Sequence, residues 1–332
     1  MSEVLGAKAL VDAAMAAAMV RVLPRDLAAE DPLIRRSDRA DFQSNAALGL
    51  AKKAGLAPRD LAESLFAALD NADFEVELSG PGFLNFTLAD PALWRLLAAR
   101  LADERMGVAE PVDGVRTLVD YSGPNIAKQL HVGHIRSTVI GDALVRILTY
   151  LGADVTRANH LGDWGTSFGK LIQYLDEHAE PDLDGSVDLD TLDVLYYVFD
   201  PDRMVSLTGN TSVYLQYAHA RACSVLGKLP AELSAATVDP SVPIHRAERA
   251  LILALDEFGA VLAEVAESLE PHRLCTYLFE SAKAFSDFWQ NCPVIKADDA
   301  AQRGNRVALV RLTGRTLARG LDLLGIEAPR RL

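Results

Sequence analysis

Between residues 117 and 158 the chain reads strand, loop, helix, strand, and that order constrains the fold more than any other feature. Thr117-Leu118-Val119-Asp120-Tyr121 has the apolar, β-branched character of a buried strand. A helix is expected from about His134 to Leu151, where Ile135, Val139, Leu144, Ile147 and Leu148 recur near helical spacing. Gly152 stands where a C-cap glycine belongs, and Asp154-Val155-Thr156-Arg157-Ala158 follows as the next strand. Strand, helix and strand in such close succession form a βαβ unit, which implies parallel pairing through a right-handed crossover.

A chain of 332 residues has room for more around this unit, since domains run about 100–200 residues. Residues 1–112 read as a small α+β module. It has an alanine-rich amphipathic helix over Ala9–Val20, helices at Ala47–Ala54 and Pro58–Leu69, alternating strands at 74–78 and 83–88 around a Gly80-Pro81-Gly82 turn, and a closing helix near Leu93–Leu101. Residues 113–175 hold the βαβ unit. Residues 176–193 carry eight acids and no Lys or Arg, with Pro181 and Gly185, and read as a solvated linker. Residues 194–332 are helical by pattern, with candidates at Thr211–Leu226, His245–Leu269, Leu274–Trp289 and Arg303–Leu324. The expected fold class is therefore α/β plus all-α: a small α+β domain, a parallel Rossmann-like domain and a helical bundle.

Composition narrows the function. Half the residues are hydrophobic, yet no run of about 18 apolar residues occurs, so no membrane span is expected. Cys223, Cys275 and Cys292 are scattered and lack C-x-x-C spacing, which argues against disulfides and a metal site and fits a reducing cytoplasm. A net charge of −13 speaks against a general nucleic-acid coat but leaves room for a local basic face.

The loop between the first βαβ strand and its helix runs from Ser122 to His134. His131 and His134 flank Gly133 at the start of the crossover helix, and Lys128 adds a positive charge. Helix N-terminal N–H groups favour an anion, imidazoles can donate to a phosphate chain, and a glycine lets a flat base approach the backbone. The plainer reading is a loop whose histidines only cap and hydrogen-bond.

The wider motif set points further. Pro124-Asn125, Lys128, His131-Val132-Gly133-His134, Arg136-Ser137-Thr138 and Asn159-His160-Leu161-Gly162-Asp163-Trp164-Gly165 together resemble the arginyl-tRNA synthetases, class I enzymes with an H-x-G-H signature. Asp41, Asn45 and Gly80-Pro81-Gly82-Phe83-Leu84-Asn85-Phe86 resemble that family's N-terminal tRNA-contacting domain. Gly209-Asn210-Thr211, Tyr214 to Ala218, Glu270 to Leu274 and Leu321 to Ile326 resemble its anticodon-binding helical domain. The resemblance implies ATP-dependent aminoacylation of tRNA with arginine, using ATP and Mg²⁺. It implies His131, Gly133 and His134 at ATP, Lys128 in the role of a signature lysine, and Ser122, Asn125 and His160 at the amino acid. Asn85, Tyr214, Arg311, Arg315 and Arg319 would serve tRNA.

One departure stands out. In the family the sheet continues into a second Rossmann half with a K-M-S-K-S-like loop, whereas here the chain passes from Tyr174 through the acidic segment to Tyr197-Val198-Phe199-Asp200. Two parallel strands do not enclose a nucleotide, because a switch-point crevice has strands on both sides. A partner chain, self-association or the helical domain folding back would have to cover the exposed edge. Two readings follow: an enzyme that still activates arginine or an analogue, with autonomous activity weakened by the missing half, or a non-catalytic tRNA-, nucleotide- or amino-acid-binding paralogue in regulation or a specialised pathway. Residues 301–332 hold seven Arg against two acids, and Arg311, Arg315 and Arg319 recur every four residues, as an RNA-facing stripe or a solvated face would. Tyr214 and Tyr217 suit either base stacking or core packing.

Overall fold

The computed structural model describes residues 6–69, 72–124, 132–161, 211–230, 237–297 and 299–332. The acidic segment 176–193 and the stretch from Tyr174 to Tyr197 lie outside the described residues.

The N-terminal module opens with α1 (Ala7–Val22) and the short α2 (Arg25–Ala28). Next come β1 (Ile34–Arg36), β2 (Phe42–Ser44), α3 (Ala46–Ala54), α4 (Pro58–Ala68), β3 (Phe74–Ser79), β4 (Phe83–Leu88) and α5 (Asp90–Ala102). The four strands form one antiparallel sheet in the order β1-β2-β4-β3. Sequence alternation identifies β3 and β4 but not β1 and β2, whose three residues each are too short to show a period. Register stacks Phe42 and Val76 on either side of Phe86, and Phe74 meets Phe86 edge-on at 5.4 Å between centroids.

The βαβ unit is β5 (Arg116–Asp120), α6 (Val132–Tyr150) and β6 (Asp154–Ala158). β5 and β6 pair in parallel with Leu118 opposite Thr156, and among the described residues this sheet has two strands. Gly152 adopts φ +100 in the turn before β6, and a side chain there would meet the Asp113 backbone at 2.9 Å, so this position needs glycine. Ile147 and Leu151 of the crossover join the main core, while Leu118 on β5 is 65% exposed.

The C-terminal helices are α7 (Ser212–Leu226), α8 (Arg246–Asp256), α9 (Phe258–Ser268), α10 (His272–Asn291) and α11 (Ala300–Leu323). The single helix expected over His245–Leu269 is two, broken at Glu257 and closed by Leu269 in the left-handed region at φ +56. A period count does not register this break, because apolar spacing continues across it.

The two end modules share one core. Trp94 of α5 is fully buried and its Nε1–H donates to the Val242 carbonyl at 2.7 Å. Arg249 of α8 bonds Asp41 at 2.6 Å, the Leu88 carbonyl at 2.9 Å and Asp90 at 2.5 Å. Arg100 of α5 pairs with Asp256 at 2.8 Å with both side chains largely buried. Such pairs orient elements more surely than they stabilise them, since desolvation offsets much of their attraction.

Candidate functional site

The C-terminal ends of β5 and β6 and the start of α6 meet at one place, where a parallel sheet ordinarily binds its ligand. Ser122 sits there in the left-handed region at φ +74, an uncommon state for a residue with a side chain. Its N–H donates to Ser137 Oγ at 3.2 Å, and its own Oγ lies 3.0 Å from Thr138 Oγ1. The Gly123 N–H donates to Asn159 Oδ1 at 3.0 Å. The His160 N–H donates to Asp120 Oδ1 at 3.3 Å, while His160 Nδ1 lies 2.5 Å from Asp120 Oδ2. The loop after β6 therefore holds the loop after β5 in a turned conformation.

Of the residues the sequence assigns to this site, Ser122, Gly133, His134 and His160 are brought to the ends of the two strands. Asn125, Lys128 and His131 lie outside the described residues. His160 is committed to Asp120, which fixes the loop, and its ring is otherwise exposed to solvent. Among the described residues this crevice has one wall: β5 offers a solvent-facing pattern, with Leu118 bare on one face. A nucleotide held here would be covered on one side by these groups, so they do not by themselves fit an enclosed ATP site.

A second feature lies on the helical domain. Tyr217 and Arg221 of α7, Lys228, Trp289 of α10 and the pair Arg330–Arg331 line an open groove of about 920 Å³. Tyr217 is 40% exposed and Trp289 38%, high values for aromatic rings in a packed helical domain. The Arg221 guanidinium stands 4.7 Å from the Tyr217 ring and 6.0 Å from the Trp289 ring, and donates to the Tyr217 hydroxyl at 3.0 Å. Among the described residues the lining contains four cations and no Asp or Glu side chain. Exposed π-faces interleaved with cations suit single-stranded nucleic acid, whose bases stack and whose phosphates need neutralising.

Other residues assigned to tRNA fall elsewhere. Tyr214, one turn before Tyr217, packs inward against Phe279 at 5.6 Å and its hydroxyl lies 3.3 Å from Ser286 Oγ. Asn85 is 4% exposed, and both ends of its amide are taken inside the protein, by Gln43 at 2.7 Å and Ser79 at 2.8 Å. The expected arginine stripe does not act as one surface: Arg311 and Arg315 are half-buried against the protein, while Arg319 is exposed. Arg315 donates to the carbonyls of Leu101, Asp103 and Glu104, closing the C-terminal end of α5. Arg319 pairs with Asp322 at 3.1 Å and lies 5.0 Å over the Tyr150 ring, and Arg311 is half-buried with a partner of its own. Burial pushes the Tyr150 hydroxyl above its ordinary range, and Arg105 and Arg319 pull it part of the way back. A four-residue spacing fixes a shared helix face but not whether that face meets solvent or another helix.

No sequence motif singles out Trp289, Arg221, Lys228, Arg330 and Arg331 as a group. The available signal is Tyr217 and Arg221 at i and i+4 on one helix, a spacing that sets a cation against a ring.

Comparison with known proteins divides the chain in three. Residues 7–88 match the family described as the arginyl tRNA synthetase N terminal domain, residues 97–205 the tRNA synthetases class I (R) catalytic domain, and residues 215–332 the DALR anticodon binding domain. An arginine–tRNA ligase of Frankia casuarinae is 33% identical across an alignment of 580 positions that spans 97% of this chain and 98% of that protein. One from Streptomyces coelicolor is 29% identical, with 96% and 98% spanned. Since 332 residues do not fill 580 positions, a long stretch of the Frankia protein has no counterpart here. Among solved structures, the arginyl-tRNA synthetase of Plasmodium falciparum superposes with a TM-score of 0.78 at 17% identity, covering 98% of this chain and 99% of that one. The Thermus thermophilus enzyme gives 0.74 at 18%, covering 98% and 100%.

Proposed function

The chain belongs to the arginyl-tRNA synthetase family, and from that premise we propose that it binds tRNA through its helical domain and does not arginylate tRNA on its own. The observation that carries the reading is the groove of Tyr217, Arg221, Lys228, Trp289, Arg330 and Arg331, a stacking and phosphate-neutralising surface on a protein whose net charge is −13. The two-stranded sheet carries the second half of it. Adenylation needs ATP and the amino acid held in line with the pyrophosphate charge neutralised, and the described residues supply one side of such a site.

The proposed division is 1–112 as the N-terminal tRNA-contacting domain, 113–175 as a partial catalytic domain, 176–193 as linker and 194–332 as the anticodon-binding-like domain. Ser122, Gly133, His134 and His160, with Asn125, Lys128 and His131, remain the groups that would meet arginine and ATP with Mg²⁺. Retention of small-ligand binding at that loop without turnover is part of the proposal, as is a cytoplasmic setting.

A band-shift titration with tRNA tests the binding half. The expected result is a salt-sensitive complex that ATP and arginine leave unchanged. Absence of any complex at low salt refutes the reading.

A further inference from the structure

The bare face of β5 has a property that none of the functional assignments uses. Its outward residues are Arg116, Leu118 and Asp120, with Thr117 and Val119 half-buried between them. Leu118 is 65% exposed, and Arg116 takes part in no ion pair among the described residues. Among the described residues, β5 has β6 on one edge and no strand on the other. An open edge with an apolar centre is a template for another strand.

The sequence of that edge specifies which strand. Read forward, the exposed side chains are positive, apolar, negative; read backward, negative, apolar, positive. Laid antiparallel on its own copy with Leu118 opposite Leu118, the strand sets each Arg116 directly opposite the Asp120 of the other chain, twice over. Directly opposed side chains on one face lie about 4.5–5.5 Å apart at Cβ, close enough for both ion pairs and for leucine contact. Asp120 also holds His160, and a carboxylate has acceptor sites for both partners. A parallel arrangement would oppose like charges. We propose that two copies of this chain join edge to edge through β5, antiparallel and centred on Leu118, into a continuous sheet β6-β5-β5-β6.

The pairing is isologous and closes after two copies. It also sends the C-terminal ends of the two β5 strands in opposite directions. The second copy therefore covers the open edge but does not rebuild the missing wall of the Ser122–His160 crevice, so dimerisation is not a route to arginylation. The strand contact is small against the roughly 1,600 Å² of a standard interface, which makes the dimer weak and concentration-dependent.

Sedimentation velocity over a concentration series on the full chain tests this. The wild-type chain is expected to shift from monomer to dimer. Arg116→Asp, which sets Asp against Asp twice, is expected to raise the dissociation constant about tenfold or more. The combined Arg116→Asp/Asp120→Arg chain is expected to return toward wild type, with the signs of both pairs exchanged. Leu118→Cys, on the two-fold axis, is expected to form an intermolecular disulfide under mild oxidation that wild type, with Cys223, Cys275 and Cys292, does not form. A monomer at every soluble concentration overturns the proposal. So does a dimer that is indifferent to Arg116→Asp and in which Leu118→Cys chains fail to cross-link.

Discussion

Removing Arg330 and Arg331 together should change how tRNA binding responds to salt, and the structure sets the size of the change. The groove is lined by four cations, Arg221, Lys228, Arg330 and Arg331. Each phosphate neutralised on a single-stranded segment contributes about −0.7 to the slope of log K against log salt, so four contacts give about −2.8. Affinity should then fall about 50-fold between about 50 and about 200 mM salt. In Arg330→Ala/Arg331→Ala two contacts remain, the slope halves to about −1.4, and the same salt change costs about 7-fold. Trp289→Ala separates stacking from charge: it should weaken binding by about 1–3 kcal/mol at every salt concentration and leave the slope unchanged. Fluorescence anisotropy with labelled tRNA at five or more salt concentrations reads both quantities. An unchanged slope in the double variant, or unchanged affinity in Trp289→Ala, means that the RNA binds somewhere else.

Arg315→Ala should lower stability by about 1–3 kcal/mol, because the carbonyls of Leu101, Asp103 and Glu104 lose their donor; it should leave the tRNA salt slope alone, which an RNA-facing arginine would not. Glu248→Gln should cost about 3–5 kcal/mol in a denaturant titration, since Glu248 is fully buried and accepts from Arg306 Nε at 2.6 Å, leaving that guanidinium buried and uncompensated. Gly320→Ala should destabilise even though alanine normally gains up to about 1 kcal/mol in a helix. The new Cβ would lie 2.4 Å from Leu278 Cδ2, in a fully buried side chain, and overpacking typically costs about 1–3 kcal/mol. Cys292 is fully buried and its thiol pKa is pushed up to about 11, chiefly by that burial. It should resist alkylation in the folded protein at pH 8 and react on unfolding, as mass spectrometry would show.

The βαβ unit was legible in the sequence because several local signals agreed. β6 falls at the five residues expected after the helix and its closing glycine, and Gly152 occupies the positive-φ turn that its position after the helix implies. The short β1 and β2 were not legible, since three residues give no period and their pairing is fixed by Phe86 more than forty residues away. The placement of candidate residues was legible where they sit in a loop between assigned strands and helix, as at Ser122 and His160, which lie together at the ends of β5 and β6. They were not where a helix face had to be assigned to solvent or to core: Tyr214 and Tyr217 share a helix and differ by one turn, yet one packs on Phe279 and the other lines the groove. Arg315 shows the same limit, because its partners at the end of α5 lie over two hundred residues earlier in the chain. Trp289 and Arg221 meet only once α7 and α10 have packed, and no motif written in one segment records that.

The most direct test of the central claim is ATP–pyrophosphate exchange dependent on arginine and tRNA, run on the purified chain beside an active full-length member of the family. A preparation that binds tRNA in the same buffer is expected to show no exchange above background. Exchange at a rate approaching that of the full-length enzyme, abolished by Lys128→Ala or His131→Ala, would contradict that claim and show that the second half of the sheet is not needed for adenylation.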